Sequence, residues 1–178
     1  MTGEVLLLAG PAGAGKSTLA RLWCATRATA AAHVQLDAVN ELIVSERVDP
    51  RDVGHSGQAR QHVASVAATC ALVRSYAESG MDVAVDDVLP PDEAAAEWLP
   101  RLHGLPMRLV VVLPSLETCL ARGGGRGKHV PDHLIRAQHE ASRRWDPTRC
   151  LDTDGQPPEQ SLAALLDLLA APASRWPG

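Results

Sequence analysis

Short apolar runs alternate along this chain with longer stretches in which apolar residues recur every three or four positions. The run Val5–Ala9 is continuously apolar and ends in a glycine-rich turn, which predicts a central strand buried on both faces. Further strands are predicted at residues 33–36, 83–85, 107–113 and 149–151, the last of them at a sheet edge.

Helical periodicity fills the intervals between these strands. The predicted helices cover residues 16–27, 58–79, 91–102, a stretch that begins near residue 116, 131–144 and 159–170. Alternating strands and helices are typical of a parallel sheet with helices on both faces, so the predicted fold class is α/β. The 178 residues fit a single domain, 1–178, with a loose tail from about residue 172.

Composition and charge argue against several classes of partner. The chain has no Phe, a single Tyr and a net charge of -4, which disfavours nucleic-acid binding through stacking or phosphate contacts. No apolar run approaches the roughly 18 residues that span a bilayer, so we expect a cytoplasmic protein without membrane contacts. The cysteines form no Cys-x-x-Cys pair, which predicts free thiols and no zinc site.

The turn after the first strand carries the motif that defines the chemistry. Residues 10–17 read Gly-Pro-Ala-Gly-Ala-Gly-Lys-Ser and match the Walker A pattern G-x-x-x-x-G-K-[ST] without a mismatch. Glycines let the backbone wrap around phosphates, so that main-chain N–H groups and the positive end of the helix face the anion. The glycine spacing does not fit G-x-G-x-x-G, which excludes a Rossmann dinucleotide site.

This P-loop predicts a site for ATP or GTP together with Mg²⁺. Lys16 is predicted to contact the β- and γ-phosphates during catalysis, and the Ser17 hydroxyl is predicted to bind the metal. The predicted nucleotide-binding residues are Gly10, Pro11, Ala12, Gly13, Ala14, Gly15, Lys16, Ser17 and Thr18.

Three aspartates follow predicted strands and should lie at the carboxyl edge of the sheet, beside the P-loop. Either Asp86 or Asp87 could hold the Mg²⁺ shell, and Asp87 could also contact the acceptor; an ordinary turn acid is the alternative for both. Asp37 could take a proton from an attacking hydroxyl and contact that substrate. Alternatively, Asp37 could cap a helix over residues 38–44, and the two roles are compatible.

The stretch Arg-Gly-Gly-Gly-Arg-Gly-Lys-His at residues 122–129 contains too much glycine for a helix or a strand and carries three firm positive charges. We predict a lid at about residues 122–130 that closes over the phosphates and presents Arg122 and Arg126 as catalytic cations, with Lys128 beside them. A solvated basic loop without a catalytic role is the alternative.

Residues that lead into the long helix, and those in its first turns, are less informative. His55, Arg60 and His62 could line the acceptor pocket or lie on the surface, and Arg60 is the predicted substrate contact. Trp98 and Trp145 are predicted to pack in the core and not to stack on a base.

In this order, the motifs resemble those of small P-loop kinases of the chloramphenicol phosphotransferase type, and more distantly those of zeta toxins, gluconate kinases and adenylylsulfate kinases. The likeness spans about residues 5–170. It is most specific at residues 10–17, at Asp37, in the Val-Asp-Asp-Val run at 85–88 and in the run at 113–122 that leads into the lid.

The resemblance implies a five-stranded parallel sheet with the P-loop strand at its centre, and an acceptor-side base at the position of Asp37. In antibiotic-modifying members the acceptor is a hydroxyl of the drug, so the expected activity is O-phosphorylation that confers self-resistance. Residues 44–62 depart from the chloramphenicol enzyme, so a polar antibiotic such as a nucleoside or a sugar-bearing one is an equal expectation.

Two other functions stay open at this point. A kinase of a nucleotide or nucleotide-sugar, as in zeta toxins, would need several cations for the acceptor phosphates, and residues 37–61 offer Arg47, Arg51 and Arg60. A nucleotide-dependent switch ATPase would need longer switch regions than the sequence reveals. The acceptor, the choice between ATP and GTP, and the oligomeric state are not predicted.

Overall fold

A computed structural model describes residues 1–49, 56–123 and 130–176 of the chain. Its centre is a five-stranded parallel sheet in the order β2-β3-β1-β4-β5. The strands are β1 Val5–Ala9, β2 Ala31–Gln35, β3 Asp82–Asp86, β4 Met107–Val112 and β5 Cys150–Leu151. The predicted α/β class and the central position of the P-loop strand are therefore confirmed.

Helices connect the strands and cover both faces of the sheet. They are α1 Lys16–Ala25, α2 Leu36–Asn40, α3 Gln58–Glu78, α4 Pro91–Glu93, α5 Leu99–Leu102, α6 Leu116–Gly123, α7 Asp132–Ser142 and α8 Pro158–Ala170. A π-helical turn, Ala94–Trp98, joins α4 to α5. Within the described ranges, none of the helices combines the length and apolar character that crossing a membrane requires.

Two packed layers enclose the sheet, and alternate residues of β1 point into each of them. On one face Val5 and Leu7 pack against α3 and the segment that contains Trp98. On the other face Leu6 and Leu8 pack against α1, α6, α7 and α8. Burial on both sides explains why β1 reads as an uninterrupted apolar run.

The tryptophans and the cysteines behave as the sequence predicts. Trp98 and Trp145 are buried in the core, and Trp145 Nε1 donates a hydrogen bond of 2.9 Å to the Leu89 carbonyl. All four cysteines are free, and burial raises the pKa of each thiol. They are Cys24, Cys70, Cys119 and Cys150.

Several element boundaries differ from the prediction. The second strand pairs with β3 from Ala31 to Gln35. Leu36 is therefore the first residue of α2 and not the last residue of a strand. The predicted helix over residues 38–44 is wrong, since α2 begins at Leu36 and ends at Asn40. Arg149 belongs to a 3-10 turn, Pro147–Arg149, and only the two following residues pair with β4.

The prediction of a loose tail after Pro172 is wrong for the described residues up to Trp176. A 3-10 turn, Pro172–Ser174, is followed by a hydrogen bond of 3.1 Å from Trp176 N to the Met107 carbonyl. The Trp176 ring meets Trp145 edge to face, with ring centroids 6.3 Å apart. The aromatic contact offsets the conformational entropy that is lost when the short tail is ordered. Composition alone does not reveal this contact.

Replacing Trp176 by Ala should lower the free energy of unfolding by about 1–3 kcal/mol, because apolar burial and the aromatic pair with Trp145 are both lost. Urea denaturation followed by circular dichroism measures this change. As a control, Leu166→Ala removes an exposed side chain of α8 and should change stability by no more than about 0.5 kcal/mol. Equal effects of the two substitutions would contradict a docked tail.

Candidate active site

The P-loop backbone lies directly against neighbouring main chain, and two glycines make this possible. Gly10 has a φ angle of 140° and Gly13 has one of 79°, and residues with a side chain rarely adopt these conformations. A Cβ on Gly10 would collide with the Val112 carbonyl of β4, and one on Gly13 would collide with the Cys119 carbonyl of α6. The loop is therefore fixed by the sheet on one side and by α6 on the other.

One cavity of about 490 Å³ brings most of the predicted site together. Its lining comprises Ala12, Gly13, Ala14, Gly15, Lys16, Ser17, Thr18, Leu19, Asp37, Arg122, Gly123, Val130, Thr153, Gln156, Pro158 and Ser161. Asp37 and Arg122, which lie far apart in sequence, thus line the same space as the P-loop.

Other predicted residues lie elsewhere. Arg60 is exposed in the first turn of α3 and does not line this cavity. Gly10 and Pro11, at the start of the loop, are buried and do not line the cavity. Arg126, Lys128 and His55 fall outside the described residues.

Lys16 is buried at the start of α1, and its Nζ donates a hydrogen bond of 2.8 Å to the Pro11 carbonyl. Burial lowers the pKa of Lys16, while the negative charges of Asp86, Asp87 and Asp37 act to raise it. The Lys16 ammonium is therefore close enough to all three aspartates for their charges to act on it. Such a cation is suited to contact phosphate oxygens.

Asp86 connects the P-loop helix to the sheet. Its Oδ2 accepts a hydrogen bond of 2.8 Å from Ser17 Oγ, and its Oδ1 lies 2.5 Å from His33 Nε2. The sequence predicts that Ser17 lies near Asp86 or Asp87 without choosing between them, and it does not predict the contact with His33. That contact joins β2 to β3 across 53 residues of chain, so no local pattern reveals it.

Asp87, the next residue, is in a different environment. Its Oδ1 accepts a hydrogen bond of 2.7 Å from Val88 N, but its Oδ2 is buried without a partner among the described residues. Burial and the charge of Glu93 raise the pKa of Asp87 to about 7, against the opposing effect of Lys16. A carboxyl group of this kind can donate or accept a proton near neutral pH.

Asp82, at the other end of β3, has a lowered pKa, in contrast to Asp87. Burial acts to raise its pKa, but hydrogen bonds from Arg27 Nε at 2.6 Å and Glu4 N at 2.8 Å outweigh it, and the pKa is lowered. The carboxyl groups beside Lys16 make no such arginine contact among the described residues. Asp87, after the carboxyl end of β3, differs from Asp82 in keeping a buried oxygen without a hydrogen-bond partner among the described residues.

Asp37 is exposed, and it is the second residue of α2, whose N-cap is Gln35. The alternative prediction that Asp37 is itself an N-cap is therefore wrong. The helix begins one residue earlier because Leu36 turns into the core, and Asp37 is left facing the cavity.

Arg122 lies at the end of α6, where its guanidinium donates a hydrogen bond of 3.4 Å to the Thr153 carbonyl. Thr153 in turn is buried, and its hydroxyl donates to the Ala14 carbonyl at 3.5 Å. These contacts hold the end of α6 beside the P-loop, on the side formed by the turn after β5.

Two further polar contacts near the site were not predicted. Gln138 Oε1 of α7 accepts a hydrogen bond of 3.0 Å from Ala12 N of the P-loop. His62 Nε2 lies 2.7 Å from Glu93 Oε1, and this hydrogen bond raises the pKa of His62. His62 therefore pairs with a neighbouring helix and does not line the P-loop cavity.

The donor set fits a hard divalent cation. A hydroxyl, Ser17 Oγ, and a carboxylate, Asp86, lie side by side at the end of the P-loop. The described residues contain no cluster of three or more His, Cys, Asp or Glu side chains able to hold a metal ion. A Mg²⁺ ion here would take its remaining ligands from phosphate oxygens and water, which is its usual mode of binding.

Comparison with known proteins agrees with this geometry. The family model AAA_33, described as an AAA domain, matches residues 5–145. No curated protein sequence matches the chain. The sequence comparison thus identifies a family across the P-loop, the three aspartates and α7.

Solved structures share the fold. A sugar kinase from Janibacter sp. HTCC2649 is 19% identical with a TM-score of 0.71, and covers 99% of this chain and 100% of its own. The APS kinase of Mycobacterium tuberculosis, in complex with AMPPNP and APS, is 18% identical with a TM-score of 0.65 and coverages of 96% and 99%. A tunicamycin resistance protein from Deinococcus radiodurans is 15% identical with a TM-score of 0.66 and coverages of 99% and 99%. The shared architecture is a P-loop kinase-like fold.

Asp87 makes stability depend on pH. An unfolded aspartate titrates near pH 4, so between pH 4 and 7 the folded state holds a proton that the unfolded state has lost. The stabilisation from protonated Asp87 is complete below about pH 4 and disappears as the pH rises to about 7. The free energy of unfolding should therefore fall over this pH range. Because the Asn side chain cannot ionise, Asp87→Asn should reduce that fall by about 2–4 kcal/mol.

Urea denaturation of wild type and variant at pH 5, 6, 7 and 8 measures the difference. The gap in unfolding free energy should widen in favour of Asp87→Asn as the pH rises. Asp167→Asn, on the exposed face of α8, is the matched control and should run parallel to wild type. Parallel curves for Asp87→Asn would mean that Asp87 titrates normally.

Proposed function

This chain belongs to the AAA_33 family, and we propose that it is a kinase that transfers the γ-phosphoryl group of ATP or GTP to a hydroxyl group of a small molecule. The observation that carries the proposal is the single cavity that the P-loop, Asp37 and Arg122 line together. Phosphoryl transfer requires a phosphate cradle, an acceptor-side base and a cation within one space.

The nucleotide phosphates would lie along the start of α1. The N–H groups of residues 13–18 and the positive end of α1 would bind the β- and γ-phosphate oxygens, and Lys16 would leave the Pro11 carbonyl to join them. Ser17 and Asp86 would hold the Mg²⁺ shell, which neutralises charge on the phosphates. Of the two adjacent aspartates, Asp86 is the one that contacts Ser17, which favours it as the metal-side residue.

Asp37 is proposed as the acceptor-side base. It is exposed to the cavity, close enough to Lys16 for its charge to affect the Lys16 pKa. Asp37 would accept the proton of the acceptor hydroxyl as the hydroxyl oxygen forms a bond to the γ-phosphorus. The bond from that phosphorus to the bridging oxygen breaks, and the products are a phosphate monoester and a nucleoside diphosphate.

Arg122 would stabilise the charge that develops on the transferred group. Its anchoring to the Thr153 carbonyl keeps the guanidinium at the rim of the cavity. Arg126 is proposed to act in the same way from the predicted lid at residues 122–130.

The acceptor is proposed to be an alcohol without phosphate groups, such as an antibiotic. Asp37 lines the cavity, the charges of Asp37 and Asp87 both affect the Lys16 pKa, and the charge of Glu93 affects the Asp87 pKa from the next helix. Carboxyl groups bind hydroxyl and amino groups but repel phosphates. The tunicamycin resistance protein with the same fold agrees with an antibiotic acceptor. Asp87 and Arg60 are retained as proposed substrate contacts, Arg60 from the surface of α3.

Mass spectrometry of a pooled library of alcohols and antibiotics tests the proposed function. Incubation with protein, Mg²⁺ and ATP or GTP should add one phosphate to at least one compound. Lys16→Ala should abolish this gain with every acceptor, because the γ-phosphate loses its cation. A second pool of nucleotides and sugar phosphates runs in parallel, and phosphorylation confined to that pool would reject an unphosphorylated acceptor.

Asp37→Asn should lower turnover by about 10²–10⁴-fold, since the amide cannot accept the hydroxyl proton. Nucleotide affinity, measured by calorimetry, should stay within about twofold of wild type because Asp37 lies outside the phosphate cradle. Asp167→Asn again provides the matched substitution and should leave both quantities unchanged. Full turnover in Asp37→Asn would remove the proposed base.

A further inference from the structure

His33 lies on the face of the sheet that α1 covers. It pairs in register with Ala84 of β3, and Asp86 is two residues further along that strand. Residues two apart on a strand share a face, so the His33 ring reaches forward along the sheet towards the Asp86 carboxylate. Both side chains are largely buried, with 11% and 8% of their surface exposed.

The contacts of Asp86 use each carboxylate oxygen for a different partner. Oδ1 meets His33 Nε2, and Oδ2 meets Ser17 Oγ. Because a carboxylate only accepts hydrogen bonds, the hydrogen lies on His33 Nε2. The imidazole therefore limits rotation of the carboxylate and keeps Oδ2 turned towards Ser17.

We propose that His33 is a positioning residue for the Mg²⁺-nucleotide site: it holds Asp86 in the orientation in which Asp86 and Ser17 bind the metal and its water. The proposal rests on the proposed function. Residues that orient metal-binding carboxylates in this way contribute to metal affinity without touching the metal. A histidine that merely joined β2 to β3 would contribute to stability alone.

Three substitutions separate the two roles. His33→Leu fills similar volume without a donor. His33→Asn keeps polarity but is too short to reach Oδ1. His33→Gln carries its amide nitrogen at about the distance of Nε2 and can restore the hydrogen bond. His103→Leu, at an exposed histidine between α5 and β4, controls for loss of a histidine elsewhere.

Calorimetry with the β,γ-imido analogue of ATP, or of GTP if the wild type prefers it, provides the readout. Each protein is titrated in Mg²⁺ and again in EDTA, and the ratio of the two Kd values measures how much the metal tightens binding. His33→Leu and His33→Asn should lose about 10–100-fold of that ratio while the Kd in EDTA changes by less than about twofold. His33→Gln should recover most of the loss, and His103→Leu should match wild type.

The outcomes separate this inference from the proposed function. An unchanged ratio in the Leu and Asn variants, or an equal loss in Mg²⁺ and in EDTA, would overturn the role of His33 alone. A wild-type protein that binds no nucleotide would overturn the proposed function and this inference with it. Thermal unfolding without ligand verifies that each variant is folded. If the Leu variant is not folded, the comparison of His33→Asn with His33→Gln still tests the inference.

Discussion

The hydrogen bond from Ser17 to Asp86 joins the first turn of α1 to the carboxyl end of β3, and the geometry of the site depends on it. The N–H groups of a P-loop are useful only when they converge on the point that the metal-side carboxylate also faces. Glycine contacts with β4 and α6 fix the loop from outside, and the Asp86 contact fixes it from within. Contacts on both sides therefore hold the backbone of the loop in place.

The aspartates at the two ends of β3 differ in how well their carboxyl groups are hydrogen-bonded. At the amino end Asp82 is satisfied by Arg27 and the Glu4 amide, and it holds three segments together. At the carboxyl end Asp87 retains a buried oxygen without a partner among the described residues, at a cost in folding free energy. A parallel sheet permits this difference because all of its carboxyl ends meet at one edge, where ligands bind.

The sequence predicts most of what local pattern controls. Continuous apolar character locates β1, glycine spacing locates the P-loop, and strand ends bring Asp37 and Asp86 to the same edge. His33 and Gln138 could not be found in this way, because their partners are set by strand register and by helix packing between distant segments. The docking of the tail cannot be predicted from the sequence for the same reason, since its contact with Trp145 has no local signature.

Gly13 touches the Cys119 carbonyl through bare backbone, with no side chain between the two segments. Side chains between packed elements can change rotamer and so accommodate small shifts, but no side chain lies between these two segments. A shift of α6 at Cys119 would therefore be transmitted directly to the P-loop backbone at Gly13. The position of α6 and the conformation of the P-loop are thereby coupled, so a substitution that moves this helix would also displace the main-chain N–H groups of the loop.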